Sequence, residues 1–110
     1  MSSNVLDSVI VPEGMTRDYR NTQAGIAVNY LYDVSSTGQA LGLDLFLRNR
    51  GAAALTIALD GQGGITVDPG DVYLVNNSKF WLVNVQSAVL YDLQIFGIRL
   101  VTLQRRGLLD

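Results

Sequence analysis

The chain has 110 residues, of which 48% are apolar and 16% charged, with a formal net charge of -2. That length suits one domain, and the apolar fraction argues against disorder. With neither Cys nor His in the sequence, disulfides, zinc–thiolate sites, thiol nucleophiles and Ser-His-Asp triads are all excluded.

The first residues, Met1-Ser2-Ser3-Asn4, show no basic stretch followed by a long apolar core, so no signal peptide is visible. Val5 to Val11 form a first β-prone run, closed by Pro12-Glu13-Gly14. Residues 14–25 are polar, with Arg17, Asp18, Arg20, Asn21 and Gln23 close together, and read as a loop or extended arm. From 26 to 33 the chain alternates: Ile26, Val28, Tyr30 and Tyr32 fall on one face, Ala27, Asn29, Leu31 and Asp33 on the other. Ser35 to Gly38 read as a turn.

The clearest signal comes next. Leu41, Leu43, Leu45 and Leu47 share one face and Gly42, Asp44, Phe46 and Arg48 the other, the period of a strand. A helix would scatter the four leucines around its circumference. Leu55, Ile57 and Leu59 define another strand, and Asp60-Gly61-Gln62-Gly63-Gly64 a glycine-rich turn. After the short strand Ile65-Thr66-Val67, Asp68-Pro69-Gly70-Asp71 has Pro and Gly at the two central positions of a type II turn. Val72 to Val75 are strand-like and Asn76-Asn77-Ser78 turn the chain.

Residues 80–86 read as a strand with Trp81, Val83 and Val85 on one face and Phe80, Leu82 and Asn84 on the other. Residues 89–96 alternate Val89, Tyr91, Leu93 and Ile95 against Leu90, Asp92, Gln94 and Phe96. Gly97 marks a bulge or bend, after which the strand is expected to continue from Ile98 to Leu103. The expected fold is therefore all-β: an antiparallel β-sandwich, jelly-roll-like, of about eight strands. Residues 1–25 are read as an N-terminal strand and arm, 26–104 as the sandwich and 105–110 as a tail. Lys79 and Glu13 are the only residues of their kinds, and this scarcity of good surface-helix formers also argues against helices.

Each feature that hints at chemistry has a simpler explanation. The Asp60–Gly64 segment lacks the alternating ligands of a calcium loop and the following helix of a phosphate loop, so a turn is favoured. Asp68 and Asp71 flank a turn, where Asp side chains commonly bond nearby amides. Arg17, Arg20, Arg48, Arg50, Arg105 and Arg106 have Asp7, Asp18, Asp44 and Asp110 as neighbours of opposite sign. They read as paired surface or interface arginines, and the net charge offers no footprint for nucleic acid or an anionic membrane. No metal or cofactor is expected. Several strands carry apolar residues on both faces, more than one sandwich core needs. Self-association would cover the surplus, with Phe46, Phe80, Trp81, Leu90, Phe96, Arg17 and Arg20 as candidate interface residues.

Residues 40–98 carry a likeness to a known group. The order Leu47-Arg48-Asn49-Arg50-Gly51, Leu55-Thr56-Ile57, Ile65-Thr66-Val67-Asp68-Pro69-Gly70, Phe80 to Val85 and Tyr91 to Gly97 resembles small β-sandwich structural proteins of tailed phages and related viruses, of the capsid-decoration, head-completion or tail-accessory type. The resemblance implies a homo-oligomer or repeated subunit on a virion lattice, with other virion proteins as partners and no enzymatic activity. It places the chain in the virion or, during assembly, the host cytoplasm. The alternative is a carbohydrate-binding sandwich in which Trp81 or tyrosines stack on a sugar ring.

Overall fold

The structure, a computed structural model, describes residues 9–12, 14–34 and 40–108. Of the expected strand Val5–Val11, residues 5–8 lie outside these residues and 9–11 form no strand; the turn at 35–38 also lies outside them. Among the described residues are β1 (Tyr19–Ile26), β2 (Tyr30–Asp33), β3 (Ala40–Asn49), β4 (Leu55–Leu59), β5 (Ile65–Val67), β6 (Val72–Val75), β7 (Leu82–Gln86), β8 (Tyr91–Arg99) and one helix, α1 (Leu100–Arg105). They form two antiparallel four-stranded sheets in a sandwich-like fold, ordered β1-β8-β3-β6 and β2-β7-β4-β5. Early strands pair with late ones: β1 with β8, β2 with β7, β3 with β6 and β4 with β5.

The leucine row behaves as its period requires. Leu41, Leu43, Leu45 and Leu47 are all buried, with Ile57, Val83, Val85, Tyr91, Leu93 and Ile95 in the same core. The Asp68–Asp71 turn closes with an Asp71 N–H to Asp68 carbonyl bond of 3.0 Å, and Gly70 takes φ 82°, as a type II turn demands.

Three expectations are corrected. Residues 19–25 are not an arm: with Ile26 they form β1, an edge strand antiparallel to β8, so the expected strand over 26–33 is shortened to β2 and Val28 is exposed. The burial of β1 alternates, with Tyr19, Asn21 and Gln23 turned inward, but two of those three are polar and left no apolar pattern to read. Their polarity is used: the Asn21 amide donates to the Tyr30 hydroxyl (2.7 Å) and Gln23 donates to Asn21 (3.0 Å).

The second correction concerns residues 80–86, which are not one strand. Phe80 exchanges backbone bonds of 3.0 Å with Gly42 in the first sheet, and β7 then begins at Leu82 in the second. The change of sheet at Trp81 breaks the alternation, so Phe80 and Val83 are both buried although they differ in parity. The Phe80 ring lies over Gly42, where a Cβ would sit 2.2 Å from Cε1.

The third is the segment after Gly97. The register shifts between Gly42 and Asp44 opposite Gly97, so the irregularity lies on β3. The strand then ends at Arg99 and α1 replaces the expected strand over 100–103. The helix has no side-chain cap of its own. Asp18, just before β1, accepts the Arg99 N–H (2.8 Å) and the Thr102 hydroxyl, tying the two ends of the described chain together. Burial opposes ionisation of Asp18, but these bonds and the Arg99 charge outweigh it and hold its carboxyl below the usual range.

Tyr91 gives a testable pH dependence. Its ring is buried and its hydroxyl donates to the Val28 carbonyl at 2.7 Å. Burial, reinforced by the nearby Tyr30, pushes its pKa up from 10.0 to about 12. A raised folded pKa means that the stabilising contribution is complete below about pH 10 and is lost as pH rises toward 12. Tyr91→Phe should therefore be less stable at neutral pH by about 1 kcal/mol, the net worth of one hydrogen bond. It should also lose less stability than the parent above pH 10, as read by urea titrations across that range; parallel curves would contradict the assignment.

Candidate functional site

The outer face of the β1-β8-β3-β6 sheet gathers several of the expected residues. Register places Phe46 beside Leu74 on one side and Gln94 on the other, and Phe96 between Asp44 and Arg20. Directly opposed residues share a face, so Phe46, Phe96 and Leu74 lie on one surface, with Arg20 beside Phe96. Phe46, Leu74 and Phe96 line a shallow, open depression of about 380 Å³, shared with Asp44, Leu45, Val75 and Asn76. Phe46 and Phe96 are half-buried, while Leu74 is 66% exposed.

Arg17 sits at the rim of this surface. Its Nε donates to Asp44 Oδ2 at 2.9 Å, its Nη1 to the Met15 carbonyl at 2.7 Å and its Nη2 to Asn77 Oδ1 at 2.9 Å. Asp44 also accepts the Asn77 N–H at 2.8 Å. These bonds fix the loop after β6 to β3 and to the segment before β1. The guanidinium is thus held in place, as a rigid fork with several simultaneous partners.

The remaining candidates separate. Phe80 is a core residue, 1% exposed, and its outward placement is overturned by the change of sheet described above. Trp81 is half-buried against the core at the start of the other sheet, with its backbone N–H bonded to Asp60 Oδ1 (2.8 Å). Leu90 precedes β8 at the opposite end from Phe96, where its carbonyl accepts the Arg50 N–H at 2.9 Å. Six residues of strand correspond to about 20 Å, so Leu90 lies off the apolar depression.

The arginines do not pool into one basic patch. Arg17 pairs with Asp44, Arg50 with Asp92 at 3.1 Å, and Arg99 lies 4.0 Å from Asp18. An open cleft of about 520 Å³ lies between Arg48, Asn49, Arg50, Gly51, Gly70 and Asp92. Its Asp92 is already engaged by Arg50 and by the Gly25 N–H at 2.7 Å. Asp60 and Gly61 both take positive φ, 55° and 72°, in a turn closed by a Gln62 N–H to Leu59 carbonyl bond of 2.9 Å. The Asp60 carboxylate accepts the N–H groups of Trp81 and Leu82. Among the described residues, no group of three or more His, Cys, Asp and Glu side chains comes together to hold a metal ion. No described helix is long and apolar enough to cross a membrane.

Two features escaped the sequence reading. Leu74 belongs to a strand, Val72-Tyr73-Leu74-Val75, that is apolar throughout, and that pattern marks it as apolar on both faces. Asn49 is completely buried, and nothing in the local sequence separates it from an ordinary strand-ending asparagine.

Comparison of the chain with protein-family models, with curated proteins and with solved structures finds no match.

Proposed function

We propose that this chain is a non-enzymatic structural subunit that associates with copies of itself and with other proteins of a virus or phage particle. The observation that carries this reading is the outer face of the β1-β8-β3-β6 sheet, where Phe46, Phe96 and Leu74 form an apolar depression rimmed by Arg17 and Arg20. Aromatic and arginine side chains are the groups most enriched at protein interfaces. The strand order supports the same reading by analogy. Two sheets β1-β8-β3-β6 and β2-β7-β4-β5, built from nested pairs of early and late strands, support reading the sandwich-like fold as a jelly roll. That architecture recurs in viral capsid and lectin domains. The carbohydrate-binding alternative draws less support, because Trp81 is partly buried against the core.

Light scattering coupled to size-exclusion chromatography tests the reading. The parent chain should run above monomer mass at micromolar concentration. Phe96→Asp should shift it toward monomer while its melting temperature falls by only a few degrees, since Phe96 lies on the outer face. A parent chain that stays monomeric across the concentration range sinks the proposal.

A further inference from the structure

We propose that β6 is the strand along which two copies of this chain join, antiparallel and about a two-fold axis. The first sheet would then continue from one copy into the other. This inference rests on the self-association reading and names the surface and register through which it occurs.

Backbone direction is the starting point. The Asn49 N–H donates to the Asp71 carbonyl, and the Asn49 carbonyl accepts the Gly70 N–H, each at 3.0 Å. The polar groups of Asn49 therefore point toward the β6 side. In an antiparallel ladder those groups alternate sides residue by residue, so Leu47 and Leu45 also point that way, toward their partners Tyr73 and Val75. Tyr73 and Val75 thus use their backbone groups on β3. Those of Val72 and Leu74 point away from β3, at the end of the sheet.

The other edge strands carry devices that discourage pairing. β1 has Arg20 and a register shift between Gln23 and Ile26, β2 carries Asp33, and β5 has only 3 residues. β6 has neither charge nor proline, and its outward side chains, Val72 and Leu74, are 44% and 66% exposed.

Self-complementarity selects a second copy as the occupant. With Tyr73 on the two-fold axis, Val72 of each copy faces Leu74 of the other. Both pairs then exchange backbone bonds, and both place apolar side chains together on the outer face beside Phe46. The ends are compatible as well. Asp68 and Asp71 precede β6, while Asn77 follows it and carries the Arg17 guanidinium on its side chain. Antiparallel pairing sets each acidic end against the other copy's Arg17–Asp44–Asn77 end, where the Arg17 and Asp44 charges balance. Parallel pairing would set carboxylates against carboxylates.

The test uses the absence of native cysteine. Val72→Cys and Leu74→Cys are made as separate single variants and mixed under mild oxidation. Hydrogen-bonded partners lie about 5.5 Å apart between Cα atoms, within disulfide reach. The mixture should yield a covalent heterodimer several-fold more abundantly than either variant alone. A Leu74→Cys homodimer as the main product would overturn the register. In parallel, Leu74→Pro removes an N–H that points away from β3 and should weaken association about tenfold or more. An oligomeric parent that Leu74→Pro leaves unchanged, and that the cysteine mixture does not crosslink, overturns the β6 junction but leaves self-association standing. A monomeric parent overturns both. A monomer whose Val72 and Leu74 amides resist hydrogen exchange would show that the chain covers this edge itself, and overturns the inference too.

Discussion

Asn49→Ala is expected to lower the unfolding free energy by about 3 kcal/mol, from the loss of three hydrogen bonds at about 1 kcal/mol each. Asn49 is wholly buried at the end of β3. Its Nδ2 donates to the Ala53 and Val67 carbonyls, each at 2.9 Å, and its Oδ1 accepts the Gly51 N–H at 2.8 Å. One side chain thus ties the β3–β4 loop to the end of β5, across the gap between the two sheets. Alanine leaves all three partners without these bonds, and the Val67 carbonyl is the one that lies in a buried site. Asn49→Asp should be worse, because it places a carboxylate oxygen against two carbonyl oxygens and buries a charge. Urea titration followed by Trp81 fluorescence reads both. A loss below about 1 kcal/mol for Asn49→Ala would mean that water replaces these bonds, and that the tie is not what holds the loop.

Gly97→Ala is expected to cost about 3 kcal/mol, the upper part of the range for overpacking. A Cβ at this position would lie 2.1 Å from the Leu41 carbonyl oxygen and 3.0 Å from its carbonyl carbon. These are backbone atoms of the neighbouring strand and cannot rotate aside. β3 and β8 would have to separate where Gly42 faces Gly97, next to the register shift. Gly63→Ala is the control, since nothing lies within 4 Å of its Cβ position and the change should stay within about 0.5 kcal/mol. Thermal melting of the two variants side by side separates the clash from a general effect of replacing glycine. Equal melting temperatures would contradict the close approach of the strands.

Particular elements show why some of the fold was legible and some was not. The leucines of β3 and the alternation through β8 were readable because one face of each is buried and a strand repeats every two residues. β1 follows the same period in its burial, but its inward row includes Asn21 and Gln23, whose polar ends bond to each other and to Tyr30. Hydropathy carries no trace of such a row. α1 was hidden for a different reason. Leu-Val-Thr-Leu is as compatible with strand as with helix, and the start of the helix is anchored through Arg99 and Thr102 by Asp18, more than eighty residues earlier in the chain. Phe80 was misplaced because a strand pattern assumes one sheet, and the chain changes sheets at Trp81.

The candidate site divides along the same line. Phe46 and Phe96 could be picked out as apolar residues on otherwise polar faces, and Arg20 and Arg17 as interface-suited charges. Their convergence on one surface follows from β1 lying beside β8 and β8 beside β3, which alternation alone does not contain.

From the sequence alone came the exclusion of thiol, disulfide and histidine chemistry, the β class, and the faces of the two longest strands. Those are properties of composition and of a two-residue repeat, and each is complete within a short window. Only the tertiary structure decided that β1 closes the sheet against β8, that Phe80 belongs to the core, and that β6 stands at the sheet's edge. Each of those depends on pairing between distant segments, where hydrogen bonding and shape choose the neighbour and hydropathy does not.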